Sequence, residues 1–259
     1  MAYTVAVAGK GGTGKTTLAG FLIDYLVEKS LTPVLAVDAD PNANLNEVLG
    51  EDIEITLADI REDVSIKNRD GNLPGGMSKT DYINYKLQQA IIEGKGFDLL
   101  VMGRPEGEGC YCFANGILRE ATDRLSDNYK VLVIDNEAGL EHLSRRTTKN
   151  VDIMFAVSEC SKRGIQAAAR VKQLIEELKL DVKELYLIVN RVPDEGLSDD
   201  IKAAIEGYGL KLAGTVPLDA KVFEYDNKGI PLVKLPKDSV AVNAARQIFD
   251  EVLISHIKA

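Results

Sequence analysis

The chain has 259 residues, 45% of them apolar and 27% charged, enough to bury a sizeable core in one large α/β domain or two small ones. No apolar run approaches the roughly 18 to 20 residues that span a bilayer, and the start MAYTVAVAGK lacks the basic flank and long apolar stretch of a secretion signal, so the expected compartment is the cytoplasm. With 31 basic against 40 acidic residues the net charge is −9, which argues against a broad basic face for nucleic acid, and three cysteines are too few for a disulfide framework.

The first predicted strand, TVAVAG (4–9), runs into AGKGGTGKTT and then into TTLAGFLIDYLVEK, whose apolar positions recur at helical spacing. Gly9, Gly14, Lys15 and Thr16 fit G-x-x-x-x-G-K-[ST], with the strand before and the helix after that this motif requires. The glycines let the backbone curl so that its N–H groups point inward, the helix N-terminus favours negative charge, and Lys15 reaches the β/γ-phosphates. Thr16 offers a hydroxyl to Mg²⁺. Gly9, Lys10, Gly11, Gly12, Thr13, Gly14, Lys15, Thr16 and Thr17 therefore form one predicted nucleotide loop.

The second strand, PVLAVD (33–38), leads into DADPNAN, where Asp38 and Asp40 suggest a metal-binding or helix-capping turn. Residues 51–80 are the least regular part, and RDGNLPGGMSKTD within them reads as a surface loop. DLLVMG (98–103) is followed by RPEGEGCYCF, which sets Cys110 and Cys112 one residue apart after a Pro/Gly-rich loop. YKVLVID (129–135) puts Asp135 at the end of another buried strand. VDIMFAVS (151–158), the helical GIQAAARVKQLIEELK, ELYLIVN (184–190) and KLAGTVP (211–217) complete the alternation. Strand runs that are continuous rather than alternating are covered on both faces. The expected fold is α/β, a mostly parallel sheet with helices on both sides, as one P-loop ATPase domain over residues 1–259.

The cysteines call for their own account. Extended, residues 110–112 would project both sulfurs from one side of the chain; in a regular helix they would diverge by about 200°, so a loop or helix start is expected. Two thiolates are half of a closed tetrahedral set, and a two-fold dimer would supply the other half on its axis. Thiolates accept Ni²⁺, Zn²⁺ and Cu⁺. Cys160, in VSECSKRG, reads as a packing or turn residue, and His142 and His256 as surface or partly buried residues.

The loop KGGTGKTT resembles the deviant Walker A ATPases, which include the Min/Par-type proteins and the nitrogenase iron protein. The resemblance implies that Lys10 reaches across a nucleotide-sandwich dimer to the partner's phosphates, that Asp40 orients the attacking water, that Asp38 supports the Mg²⁺ shell, and that Asp135 is the carboxylate that holds Mg²⁺ through water. It also makes Asn190, in IVNRV, an adenine contact, with Arg191 and Pro217 as neighbours of the base. The segment DNEAGLEHLSRR departs from the Par-type continuation D-T-P-A-G. Together with GRPEGEGCYCFANGILRE it is similar to the CooC type, ATPases that mature nickel in carbon monoxide dehydrogenase, and to their relatives for acetyl-CoA synthase. That resemblance implies a homodimer using ATP/ADP and Mg²⁺, with Cys110 and Cys112 holding Ni²⁺ (or Zn²⁺) for an apo carbon monoxide dehydrogenase or acetyl-CoA synthase, and no membrane or nucleic-acid partner. A partition or positioning ATPase with incidental cysteines is the alternative. The apolar spacing of Ile248, Val252 and Ile257 near the C-terminus is read as a helix packed on the domain body.

Overall fold

The computed structural model describes residues 2–69, 73–104, 111–137 and 150–257. Strand β1 (Tyr3–Gly9) leads through the loop to helix α1 (Lys15–Glu28), followed by β2 (Val34–Ala39), α2 (Leu45–Leu49), α3 (Leu57–Arg69) and α4 (Lys79–Ala90). Then come β3 (Ile92–Glu93), β4 (Phe97–Val101), α5 (Tyr111–Leu125), β5 (Val131–Asn136), β6 (Val151–Glu159) and α6 (Lys162–Glu177). The chain continues with β7 (Val182–Val192), α7 (Asp199–Gly207), β8 (Leu212–Pro217), α8 (Ala220–Asn227) and α9 (Val240–Ile257).

The strands form one eight-stranded sheet in the order β3-β4-β2-β5-β1-β6-β7-β8. Among the described residues only the short β3 runs antiparallel to its neighbour; the remaining pairs are parallel. The α/β architecture with helices on both faces is the one expected from the continuous apolar runs. β1 shows why those runs are apolar throughout: Val5 and Val7 belong to one core, Ala6 and Ala8 to the other. Successive side chains of a strand point to opposite faces, so burial on both sides removes the usual alternation.

One core is closed by α1 and α9. Phe249 packs against Tyr25 and Phe155 at ring-centroid distances of 5.5 and 5.9 Å, and Ile248, Val252 and Leu253 are buried beside it. Fully burying a side chain of this kind contributes about 1.5–3 kcal/mol, so α9 is fixed to the sheet by its apolar stripe. Among the described residues no helix is long and apolar enough to cross a membrane.

Residues 51–80 correct the reading of that stretch as irregular. α3 forms inside it because Leu57, Ile60 and Val64 make a narrow buried stripe on an otherwise charged helix, too sparse to stand out in a sequence window. The Ser78 side chain accepts from the Asp81 N–H at 3.1 Å and starts α4 there.

Candidate functional site

The sheet order puts β1 between β5 and β6, so the loop that follows β1 emerges at the centre of the sheet's carboxyl edge. Open α/β sheets bind ligands in that place. Gly9 abuts β6 so closely that a Cβ there would lie 2.3 Å from the Val157 carbonyl oxygen. Inside the loop, the Lys10 carbonyl accepts from Lys15 Nζ at 3.2 Å and from Thr13 Oγ1 at 2.9 Å. Lys15 and Thr13 are buried, whereas Lys10, Gly11 and Gly12 are exposed. Burial lowers the Lys15 ammonium from its usual range, opposed by the carboxylates of Asp135 and Asp40.

Two buried carboxylates at the site come from strands far apart in sequence. Asp38 on β2 and Asp135 on β5 are register partners, which sets their backbones about one strand spacing apart. Both are buried. Asp38 Oδ2 accepts the N–H groups of Asn44 and Leu45 at 3.0 and 2.9 Å, and Oδ1 accepts that of Asp40 at 3.0 Å. In this structure Asp38 therefore holds the β2–α2 turn. Burial pushes its carboxyl up to about 6 against those N–H bonds. Asp40 is half-buried and accepts from the Asn42 backbone and side chain at 2.9 and 3.0 Å.

Asp135 is different. The Thr16 hydroxyl donates to its carboxylate, yet Oδ1 is buried with no hydrogen-bond donor among the described residues. Burial, followed by the charge of Asp38, raises it to about 7. A buried, unpaired hard oxygen beside a threonine hydroxyl and a phosphate-seeking lysine is the donor set that suits a nucleotide-bound Mg²⁺ with its water shell. Thr16 and Asp135 would hold that ion, which supplies charge neutralisation for the phosphates when bound.

An open cleft of about 940 Å³ is lined by Gly11, Gly12, Gly14, Lys15, Thr16 and Asp40. Beside it lies a cavity of about 280 Å³ lined by Thr17, Asn190, Arg191, Pro217, Leu218 and Phe223. The structure thus brings Asn190, Arg191 and Pro217 to one cavity adjoining the phosphate loop. Leu218 and Phe223 are 63% and 68% exposed, so two large apolar side chains stand at its mouth with free faces.

Sequence reading missed these two and Asp219 behind them. Asp219 Oδ2 accepts from Ser239 Oγ at 2.6 Å and from the Ala241 N–H at 3.2 Å, and Oδ1 accepts the Lys221 N–H at 2.9 Å. Burial works against its charge, but the Ser239 hydroxyl and these N–H groups hold the carboxyl below its usual range. It ties the starts of α8 and α9 together and so shapes the cavity. The local signal was an aspartate directly before the helical AKVFEYDN, an N-cap pattern.

Cys110 and the segment 138–149, with His142, lie outside the described residues. The Cys112 backbone belongs to the first turn of α5, and its side chain is outside the described ones. Cys160 is half-buried, and burial pushes its thiol up, away from the reactive thiolate form. His256 is exposed near the end of α9.

Comparison with known proteins agrees with this geometry. The family model for the CobQ/CobB/MinD/ParA nucleotide-binding domain matches residues 4–232. An uncharacterised ATP-binding protein of Methanocaldococcus jannaschii is 44% identical over 249 residues, 96% of this chain and 98% of its own. The carbon monoxide dehydrogenase accessory protein CooC of Rhodospirillum rubrum is 30% identical over 240 residues, covering 87% of this chain and 88% of its own. Among solved structures, the septum site-determining protein MinD of Pyrococcus horikoshii, complexed with Mg-ADP, superposes with a TM-score of 0.71 at 25% identity, over 100% of this chain and 99% of that one.

Proposed function

This chain belongs to the CobQ/CobB/MinD/ParA family of nucleotide-binding domains and is an ATPase of that family, and from that premise we propose that it is a nucleotide-switched, homodimeric metallochaperone delivering Ni²⁺ to an apo carbon monoxide dehydrogenase or acetyl-CoA synthase. The observation that carries the reading is the 30% identity to CooC over 87% of the chain, joined to the Cys110-Tyr111-Cys112 segment. In this reading residues 1–259 are one cytoplasmic ATPase domain with a metal-binding segment near 104–113, and no nucleic acid or membrane takes part. Ni²⁺ is the cargo, and Zn²⁺ can occupy the same thiolates.

Each residue has a task. The loop amides and Lys15 bind the β/γ-phosphates, Thr16 and Asp135 hold the Mg²⁺, and Asp40, at the rim of the cleft, orients the attacking water. Asp38 fixes the turn on which Asp40 sits. Lys10, exposed at the loop's outer edge, acts across the dimer on the partner's phosphates. Asn190, Arg191 and Pro217 border the adenine. Four thiolates, two from each protomer, make the soft tetrahedral set for one metal on the two-fold axis.

A positioning switch of the MinD kind is the second reading, favoured by the superposition on MinD. Against it, the apolar stripe of α9 is spent in the core. Titrating the reduced protein with Ni²⁺, with its mass followed in parallel, separates the two. The expected result is one ion per dimer, dimerisation on metal addition, and loss of tight binding in Cys110→Ala/Cys112→Ala with ATP binding kept. One ion per monomer, or undiminished affinity in the double variant, sinks the shared site and leaves the positioning switch.

A further inference from the structure

A trans peptide points its C=O and the following N–H in opposite directions within one plane. A group that grips a loop carbonyl therefore also aims the next amide. In the phosphate loop the Gly14 carbonyl is taken by the Leu18 N–H at 3.0 Å, inside the start of α1, and the Lys10 carbonyl by Lys15 and Thr13. Of the three carbonyls between, those of Gly12 and Thr13 are gripped from outside. Arg191 Nη1 donates to Gly12 O at 3.1 Å, and Asn190 Nδ2 donates to Thr13 O at 2.9 Å. Both donors sit at the end of β7, two strands away from β1. Turning these successive carbonyls toward β7 points the Thr13 and Gly14 N–H groups the opposite way, away from β7.

The dipeptide is shaped for this double grip. Asn190 Oδ1 accepts the Arg191 N–H at 2.9 Å, and Arg191 has φ 55, a left-handed conformation that a non-glycine residue keeps only where its surroundings hold it. Arg191 also lines both the phosphate cleft and the neighbouring cavity. A base contact alone needs neither the bond to Gly12 nor the strained backbone.

We infer that Arg191, supported by Asn190, is a positioning residue for phosphate binding: its guanidinium fixes the Gly12–Thr13 peptide so that the Thr13 amide is set for the phosphates, whatever base they carry. This deepens the nucleotide reading of the same site and rests on it. The opposing account is that Arg191 serves the base only.

Inorganic tripolyphosphate, which carries phosphates and no base, tells them apart. Calorimetric titration with Mg-ATP and with tripolyphosphate should show Arg191→Ala weakening both by a similar factor, roughly tenfold, the loss typical of one charge-assisted hydrogen bond. Arg191→Lys should recover part of both affinities. Arg191→Gly relaxes the left-handed backbone while removing the guanidinium, so it should fold at least as well as the alanine variant and bind as weakly. Loss of ATP affinity with unchanged tripolyphosphate affinity in the alanine and glycine variants overturns the inference. So does a parent protein that binds ATP and no tripolyphosphate. A parent that binds neither overturns the nucleotide reading itself, and this inference with it.

Discussion

Asn190 occupies the space that a side chain on Gly14 would need: a Cβ at Gly14 would lie 2.3 Å from Asn190 Nδ2, the atom that donates to the Thr13 carbonyl. Gly14 also has φ +87, at the N-cap of α1. The end of β7 and the start of α1 thus fit together only because this position carries no side chain.

Gly14→Ala should therefore fail on two counts. The left-handed backbone costs roughly 1–2 kcal/mol for an L-residue, and displacing Asn190 forfeits a buried hydrogen bond of about 1 kcal/mol. For a chain of this size the sum corresponds to a fall in Tm on the order of 5–10 °C. Thermal unfolding and ATP titration check it. A variant with the parental Tm and parental ATP affinity would show that the contact constrains nothing.

Asp135 supplies a pH test with a definite sign. Its carboxyl is raised to about 7 by burial and by the charge of Asp38, above the ordinary value of about 4. In metal-free protein between about pH 4 and about pH 7 the unfolded chain has released this proton while the folded chain keeps it, so this group makes stability fall as pH rises. Mg²⁺ needs the ionised form, and Mg-ATP affinity should strengthen over the same window as pH rises. Asp135→Asn should flatten both trends relative to the parent, measured by denaturant titration without metal and by ATP titration with Mg²⁺. Equal pH slopes in parent and variant would rule out Asp135 as the titrating group.

In the proposed mechanism Lys15 binds phosphate, Asp40 positions water and Lys10 acts across the dimer, so the three should separate kinetically. Lys15→Ala should lose ATP affinity by about 10–100-fold, the scale of a buried charge-assisted contact. Asp40→Ala should bind ATP normally, accumulate the dimer and lose about 10²–10⁴-fold in turnover. Lys10→Ala should bind ATP as a monomer and weaken the preference for dimer in ATP over ADP seen by light scattering. Parental turnover in Asp40→Ala would remove it as the water-positioning group.

Much of the molecule is legible in local sequence. Gly9 to Thr17 are contiguous, and a strand, a glycine-rich turn and a helix start specify one another over a few residues, so the phosphate loop is recognisable from local sequence. The continuous apolar runs likewise specify buried parallel strands. α3 escapes because its buried stripe of Leu57, Ile60 and Val64 lies among charged residues, and Leu218 and Phe223 escape because exposed apolar residues after a strand carry no pattern.

Sequence by itself determined that this chain folds as a two-sided α/β sheet with a phosphate loop after its first strand, since those features depend on residue order and period within single elements. Tertiary structure alone decided that Asp38 and Asp135 would stand as register partners, leaving one carboxylate bonded by backbone amides and the other with a bare buried oxygen. It also decided that Asn190 and Arg191 would reach back to Thr13 and Gly12. The physical reason is that strand order and register come from how the crossover helices pack on the two faces, and that packing joins segments whose separation along the chain leaves no local trace.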